Sequence, residues 1–214
     1  MNIDILQIGA FVGKDDVQKI LETETYCTAI LVEPVPWFYE ELIKNYKNII
    51  NPSRIFFENS VINNFDGMCN FHCIKDKKYA QNVFGMNINW FKELSSLKIN
   101  MIKEHEKVLS HDGFDLKLEY ETLNLKSITS HTLIKKYNIT SLQYLKIDAE
   151  GTDFQILMNW PFDMISPKYI QFELCHLDGH VNKNENFQKL KKFLNEKKYI
   201  FLKQDKLDMI FIKT

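Results

Sequence analysis

The stretch Ile-Asp-Ile-Leu-Gln-Ile-Gly-Ala-Phe-Val-Gly (residues 3–13) decides the fold of this chain. Its first six residues are mostly isoleucine and leucine, which is typical of a buried strand, and its two glycines mark a turn. Directly after the turn, Val17, Ile20 and Leu21 recur at helical spacing. A strand, a glycine turn and a helix in this order predict the first unit of an α/β fold with a parallel sheet.

The same alternation continues along the chain and gives the order of the predicted elements. Strands are predicted where short apolar runs end at polar or turn-forming residues, and helices where apolar residues recur every three or four positions. The predicted strands are 3–8, 28–33, 55–62, 66–74, 116–123, 144–147, 169–174 and two within 199–213. Two helices are predicted directly after residues 15 and 151. Four others are predicted over 36–46, about 89–107, 127–137 and 187–194.

The last two predicted strands are separated by a short polar turn from Gln204 to Lys206. Such a link permits only antiparallel pairing, because a parallel crossover needs a dozen or more residues. The sequence therefore predicts a Rossmann-like α/β fold: a doubly wound, mostly parallel sheet with a C-terminal antiparallel hairpin.

The length and composition fit one domain. The 214 residues are 45% hydrophobic and 26% charged, as in an ordinary globular protein. The polar, irregular stretch at about 75–115 interrupts the alternation and predicts an insertion that caps one side of the domain. No apolar run is long enough to span a bilayer and no secretory signal is visible, so we predict a cytosolic protein.

The charged and sulfur-containing residues exclude some classes of function. Lysine and arginine total 27 against 28 acidic residues, and Arg54 is the only arginine, which argues against readout of duplex nucleic acid. The segment Cys69-Asn-Phe-His72-Cys73 superficially resembles a metal site. In a strand, however, Cys69 and Cys73 face one side and His72 the other, so we interpret the cysteines as core residues.

Polar residues follow the predicted parallel strands at the points where these strands end. In open α/β sheets, ligands bind at this edge. The sequence places there the loop Gly9–Gly13, then Glu33, then Asn59 to Val61, then Asp148 to Gly151, and finally Glu173 and His176.

The spacing and the glycines of this edge discriminate between cofactors. Glu33 lies 24 positions after Gly9, close to the spacing of about 20 residues at which a carboxylate binds the ribose of a nucleotide. A dinucleotide loop needs a second glycine where this chain has Phe11, which disfavours an NAD(P)-dependent oxidoreductase. A nucleoside cofactor without a pyrophosphate, such as S-adenosylmethionine, does not need that glycine.

Four segments resemble the FkbM family of S-adenosylmethionine-dependent methyltransferases. They are Ile-Leu-Gln-Ile-Gly-Ala-Phe-Val-Gly-Lys-Asp (5–15), Leu-Val-Glu-Pro-Val-Pro (31–36), Asn-Ser-Val (59–61) and Leu-Lys-Ile-Asp-Ala-Glu-Gly-Thr-Asp-Phe (145–154). The resemblance runs from residue 3 to about 200, and Lys-Ile-Asp-Ala-Glu-Gly is its most specific part. It implies a class I methyltransferase fold and transfer of a methyl group to a hydroxyl of a sugar, a glycolipid or a related small molecule.

The resemblance also implies which residues contact S-adenosylmethionine. Glu33 matches the ribose-binding acid, and Asn59 and Ser60 fall in the segment on the adenine side. Many family members have Asp where this chain has Gln7, and many have helices before the first strand. The full set of expected cofactor-binding residues is Gln7, Gly9, Ala10, Phe11, Gly13, Glu33, Pro34, Asn59, Ser60, Val61 and Asp148.

Methyl transfer to a hydroxyl needs a group that takes the proton of that hydroxyl. The candidates are His176, Glu150, Asp148 and Glu173, of which His176 has the most suitable ordinary pKa, about 6.5. Asp148, Glu150 and Asp153 are an alternative set of ligands for a divalent metal ion, but we predict that no metal is bound. A non-catalytic subunit that binds the cofactor and works through protein partners is the alternative to an enzyme, and the sequence leaves the oligomeric state open.

Overall fold

The computed structural model describes residues 1–49, 51–74, 94–104, 119–174, 177 and 185–214. Its larger sheet has seven strands in the order β3-β2-β1-β8-β9-β11-β10. These strands are β1 (Asn2–Ile8), β2 (Ala29–Val32), β3 (Ile55–Glu58), β8 (Ser141–Ile147), β9 (Tyr169–Glu173), β10 (Tyr199–Asp205) and β11 (Asp208–Lys213).

The strand directions confirm the predicted mostly parallel sheet and its C-terminal hairpin. β1 pairs in parallel with β2 and β8, and the outer strands β3 and β9 continue in the same direction. β11 pairs antiparallel with β9 on one side and with β10 on the other. Because β11 lies between them, β10 runs in the same direction as β9. The hairpin turn falls at Lys206-Leu207, slightly later than the sequence predicts.

Helices cover both faces of this sheet, as a doubly wound fold requires. One face packs against Val17 and Leu21 of α1 and Leu42 and Tyr46 of α2. The opposite face packs against three other helices in a larger apolar cluster. The helices are α1 (Asp16–Thr23), α2 (Pro36–Tyr46), α3 (Ser130–Lys136), α4 (Asp153–Met158) and α5 (Glu185–Glu196). Within the described residues, no helix is both long and apolar enough to cross a membrane.

A second sheet corrects the prediction of one strand over residues 55–62. The chain leaves the larger sheet after Glu58, and Val61 begins a strand of a four-stranded sheet in the order β4-β7-β5-β6. The break is fixed by Asn59, whose Nδ2 donates to the carbonyl oxygens of Glu33 and Pro34 at 2.8 and 3.0 Å. The strands are β4 (Val61–Asn63), β5 (Gly67–Ile74), β6 (Ser95–Ser96) and β7 (Tyr120–Thr129).

Three further element predictions are wrong at their boundaries. The helix expected over 89–107 is interrupted, because Ser95–Ser96 pairs with β5 as strand β6 and only residues 99–104 of the described part are helical. The strand expected over 116–123 runs from Tyr120 to Thr129, and the following helix begins at Ser130 rather than Ser127. Thr129 caps that helix by accepting a hydrogen bond from the backbone N–H of Thr132. Residues 75–93 and 105–115 of the predicted insertion lie outside the described residues.

The second sheet packs against the segments that follow β1 and β2 in the chain. Phe71 and the thiols of Cys69 and Cys73 lie in one apolar cluster with Val35 and Phe38. His72 points away from this cluster, and its Nδ1 is 2.9 Å from the hydroxyl of Thr122. Burial raises the pKa of the Cys73 thiol to about 12, so this thiol stays protonated at neutral pH.

Candidate functional site

A cavity lies at the carboxyl edge of the larger sheet, between that sheet and the second one. This is the edge at which open α/β sheets bind ligands. The lining residues are Ile8, Gly9, Phe11, Val32, Glu33, Pro34, Ser60, Val61, Ile62, Phe71, Ser95, Asp148, Ala149, Glu150 and Thr152.

Glu33 is the buried carboxylate at one end of the cavity. It directly follows β2 and is 3% exposed. Its two oxygens accept hydrogen bonds from the backbone N–H groups of Val35 and Phe11, each at 2.8 Å. Burial raises the pKa of this carboxyl to about 7, and the two N–H donors oppose that rise. Each oxygen keeps a second lone pair, so the carboxylate can also accept hydrogen bonds from a ligand.

The loop from Gly9 to Gly13 joins this carboxylate to the opposite wall. Gly9 has φ +84°, and a Cβ atom there would lie 1.7 Å from the carbonyl oxygen of Asp148. Gly9 therefore allows the β1 loop and the β8 loop to touch, which no other residue permits. Its N–H donates to the carbonyl of Val32 at 3.0 Å, which ties the loop to the end of β2.

Phe11 occupies the position at which a dinucleotide loop has its second glycine. Its φ of +46° lies in the left-handed region, which residues with a Cβ rarely adopt. The ring packs edge-on against Phe38 with 4.5 Å between the centroids, and it lines the cavity. A phenyl ring thus stands in the cavity wall where a dinucleotide loop would have a glycine.

The opposite wall of the cavity is the loop Asp148–Thr152, which follows β8. The N–H of Asp148 donates to the carbonyl of Ile8 at 2.9 Å, so this loop begins directly beside the end of β1. Glu150 has φ +48° and Gly151 has φ +90°, so two consecutive residues lie in the left-handed region. The hydroxyl of Thr152 donates to the carbonyl of Ala149 at 2.9 Å and closes the turn before α4.

Carboxyl groups are crowded behind this wall. Burial, and then the charge of neighbouring carboxylates, raise the pKa of Asp153 to about 7 and that of Glu173 to about 8. The pKa of Asp148 rises to about 6 for the same first reason, although the ammonium of Lys146 opposes it. Groups with such pKa values exchange protons near neutral pH and are typical of sites that transfer protons.

Gln7 belongs to a network beside the cavity rather than to its wall. Its side chain is buried, and its Nε2 donates to the carboxylate of Asp15 at 2.7 Å. The same oxygen of Asp15 accepts from Lys146 at 2.9 Å. Asp15 also caps α1 through the N–H groups of Val17 and Gln18. This network fixes the start of α1 against β1 and β8.

The structure brings most of the predicted site residues together around the cavity. Those in its wall are Gly9, Phe11, Glu33, Pro34, Ser60, Val61, Asp148 and Glu150. Four expected cofactor-binding residues support the wall from outside it: Gln7, Ala10, Gly13 and Asn59. Glu173 lies behind the wall near Asp148, and His176 lies outside the described residues.

Sequence reasoning missed the contribution of the second sheet to the cavity. Phe71 and Ser95 come from β5 and β6, and both line the wall. Neither stands at the end of a parallel strand, so the rule that located the other residues could not find them. The sequence did indicate Ala149 and Thr152 as residues of the wall, since they lie in the same loop as Asp148 and Glu150.

The cavity residues fit a nucleoside. A carboxylate already oriented by two backbone N–H groups suits the adjacent hydroxyls of a ribose, and Val61, Ile62 and Phe71 provide apolar surface for a flat base. In the parts of the chain that the structure describes, no three acidic, histidine or cysteine side chains are grouped so as to hold a metal ion.

Comparison with known proteins places the chain in a family. The model of the FkbM methyltransferase domain matches residues 7–201, and a search of curated proteins gave no match. Among solved structures, the Methanococcus jannaschii fibrillarin pre-rRNA processing protein has a TM-score of 0.46 and 11% identity, over 99% of this chain and 65% of that chain.

Two other solved structures are similar to a comparable degree. M. capricolum TrmK in complex with S-adenosylhomocysteine has a TM-score of 0.43 and 10% identity, over 99% of this chain and 61% of that chain. Precorrin-6y C5,15-methyltransferase from Geobacter metallireducens has a TM-score of 0.42 and 11% identity, over 100% of this chain and 82% of that chain. The chain thus spans less than two thirds of the fibrillarin and TrmK chains. On its family match, its sheet and its cavity, the chain belongs to the FkbM family of S-adenosylmethionine-dependent methyltransferases and has the Rossmann-like class I fold.

Proposed function

We propose that this protein transfers a methyl group to a hydroxyl of a sugar, a glycolipid or a related small molecule. The observation that carries the proposal is the arrangement of one cavity. A carboxylate held by two backbone N–H groups, Glu33, lies at one end, and the acidic loop Asp148–Glu150 forms the opposite wall. S-adenosylmethionine supplies the activated methyl group.

The cofactor-binding role falls to the end that contains Glu33. We propose that its carboxylate accepts hydrogen bonds from the ribose hydroxyls, since the bonds to Val35 and Phe11 already fix its orientation. Phe11 and Pro34 shape the wall beside it, and Ser60 and Val61 contribute to the part of the wall that faces the adenine base. Gly9, Ala10, Gly13 and Asn59 act by fixing the loops, and Gln7 acts through Asp15.

The proton of the acceptor hydroxyl goes to a group on the other wall. Glu150 and Asp148 are the described candidates that line the cavity, and the raised pKa of Asp148 suits a group that gains and loses a proton near neutral pH. Glu173 is the last residue of β9, the next strand of the sheet, and is a candidate through its own raised pKa. His176 remains a candidate from its position after β9.

Two further properties belong to the same proposal. We propose that residues 1–214 form a single domain and that the insertion at about 75–115 covers the acceptor side, where its residue Ser95 reaches the cavity wall. We also propose a small-molecule or glycan acceptor and the cytosol as the compartment.

The first experiment compares ligands by thermal shift, with S-adenosylmethionine, S-adenosylhomocysteine, NAD and NADP side by side. A ligand that binds the folded state raises its free energy of unfolding by about 2.7 kcal/mol at a hundredfold excess over Kd. We expect a shift with the first two ligands and none with the dinucleotides. A shift with NAD or NADP would favour the oxidoreductase alternative.

The second experiment tests transfer itself. Purified protein is incubated with radiolabelled S-adenosylmethionine and a cell extract, and the labelled product is analysed for a methyl ether. We expect label in a small molecule or glycan. Binding of S-adenosylhomocysteine without labelling in any extract would favour a non-catalytic subunit, and label on RNA or protein would replace the proposed acceptor.

A further inference from the structure

The inserted segment that contains β6 makes direct contact with the acidic wall of the cavity. We propose that Ser96 and Lys98 are positioning residues that hold the Glu150-Gly151 turn, so that this segment sets the place of the Glu150 carboxylate as well as covering the acceptor. The inference rests on the proposed function, in which Glu150 faces the acceptor.

The contact consists of two hydrogen bonds to two consecutive carbonyl groups. The hydroxyl of Ser96 donates to the carbonyl oxygen of Glu150 at 2.7 Å. The ammonium of Lys98 donates to the carbonyl oxygen of Gly151 at 2.5 Å. Ser96 and Glu150 are 54 positions apart in sequence, and Lys98 and Gly151 are 53 positions apart. The contact therefore joins the insertion to a loop of the larger sheet.

The direction of the Ser96 hydroxyl is fixed by its other neighbour. The backbone N–H of Lys98 donates to the Ser96 oxygen at 3.0 Å. That bond uses the hydroxyl as an acceptor, so its own proton is left to point at Glu150. Ser96 is fully buried, and water therefore has no room to compete for either bond.

The turn that is held needs support from outside its own sequence. Glu150 has φ +48°, a left-handed conformation that side chains with a Cβ rarely adopt. Such conformations persist where the surrounding structure over-determines them, and they concentrate at functional sites. Ser96 and Lys98 supply that restraint, while the neighbouring Ser95 lines the cavity.

β6 itself is anchored, so the restraint is transmitted from a fixed element. Ser96 pairs with His72 and Ser95 with Cys73 of β5. Leu94 and Ile102 on either side are buried. The chain from 94 to 102 is thus part of the packed structure, and it brings the hydroxyl of Ser96 to the turn.

The test uses the full chain with Ser96→Ala and Lys98→Met, and with Lys103→Met as the control, since Lys103 is an exposed lysine of the same segment. We expect amide hydrogen exchange at residues 150–152 to become at least tenfold faster in the first two variants and to stay unchanged in the third. Affinity for S-adenosylhomocysteine should change less than twofold. Unchanged exchange in both Ser96→Ala and Lys98→Met would overturn the proposal.

A double-mutant cycle separates positioning from a general loss of structure. With the acceptor found by labelling, Ser96→Ala should lower kcat at least tenfold and leave KM for S-adenosylmethionine unchanged. In a Glu150→Gln background it should lower kcat no further, because the group that it positions is already neutral. An equal additional loss in that background would overturn the positioning role. If Glu150→Gln alone keeps the wild-type rate, the proposed base is wrong, and the exchange measurements still decide whether Ser96 and Lys98 hold the turn.

Discussion

Glu33 directly follows β2 and Glu173 is the last residue of β9, and the pKa values of both are raised, but their surroundings differ. Glu33 is buried, and the hydrogen bonds that it accepts from two backbone N–H groups stabilise its charged form. Glu173 is surrounded by Asp148, Asp153 and Asp208, whose charges add to the effect of burial. The first environment favours a fixed acceptor of hydrogen bonds, whereas the second favours a group that holds a proton.

The comparison extends to Glu58, which ends the strand next to β2. Like Glu33 it is buried, but its carboxylate is bound by Lys136 and Tyr137 of the α3 end, at 2.5 and 2.9 Å. Those partners hold the pKa of Glu58 below its ordinary value despite burial. Glu58 is absent from the cavity wall. Buried carboxylates at strand ends therefore differ in their hydrogen-bond partners. A carboxylate bound only by backbone N–H groups can still bind a ligand, whereas one bound by a lysine and a tyrosine joins two elements of the fold.

The largest expected effect is on the acidic wall. Glu150→Gln should lower methyl transfer at least a hundredfold, because loss of a general base costs about 10²–10⁴-fold in rate. Affinity for S-adenosylhomocysteine, measured by calorimetry, should stay within twofold of wild type. Glu22→Gln, on the exposed surface of α1, is the control. A wild-type rate in Glu150→Gln would transfer the role to Asp148, Glu173 or His176, and His176→Ala is then the next variant.

The next effect concerns the opposite end of the cavity. Glu33→Ala should weaken S-adenosylhomocysteine binding at least tenfold, since a charge-assisted hydrogen bond contributes about 1.5–3 kcal/mol. It should also lower the free energy of unfolding, because the N–H groups of Phe11 and Val35 lose their acceptor, at about 1–3 kcal/mol for each group left unpaired.

Glu58→Gln is the matched control for that variant. It removes the charge of a carboxylate buried to the same degree and should lower stability while leaving the calorimetric affinity unchanged. Equal losses of affinity in Glu33→Ala and Glu58→Gln would mean that both act through the fold, and Glu33 would then have no direct role in binding.

The crowded carboxyl groups predict how stability depends on pH. The folded protein holds protons on Asp153 and Glu173 up to pKa values of about 7 and 8, whereas the unfolded chain loses them near its ordinary values of about 4. The folded state therefore binds more protons between these limits, and the free energy of unfolding falls as pH rises through that window.

We expect Tm at pH 5.5 to exceed Tm at pH 8.5 by at least about 2–4 °C, since each kcal/mol of lost stability lowers Tm by about that much in a chain of this size. Glu173→Gln should reduce the difference, because it removes the group that loses its proton last. A Tm that rises with pH over the same range would show that these groups are ionised in the folded protein.

The smallest effect concerns the insertion. A segment that covers a substrate must open, so residues 75–115 should be cut first by a protease at low concentration, and more slowly with S-adenosylhomocysteine. The stretch 94–104 should resist, since Leu94, Ser96 and Ile102 are buried. Mass spectrometry of the first fragments checks this. First cuts elsewhere, or within 94–104, would contradict the proposed cover.

The local pattern of the sequence was sufficient for the larger sheet and for most of the cavity. Apolar runs ending in Gly9, Glu33 and Asp148 determine where parallel strands end, and parallel strands bring those ends to one edge. The C-terminal hairpin followed from a turn too short for a crossover. These features depend on neighbours in sequence, which is why they could be predicted.

The second sheet was decided only by the tertiary structure. Residues 55–62 have the pattern of one strand, yet the chain changes sheets at Asn59 because its amide bonds to Glu33 and Pro34, about 25 positions earlier. Likewise, nothing near Ser96 in the sequence indicates its bond to Glu150, 54 positions later. Periodicity specifies the conformation of a segment, but the partner of a buried hydroxyl or amide depends on which distant segments pack together, and that is determined by the fold as a whole.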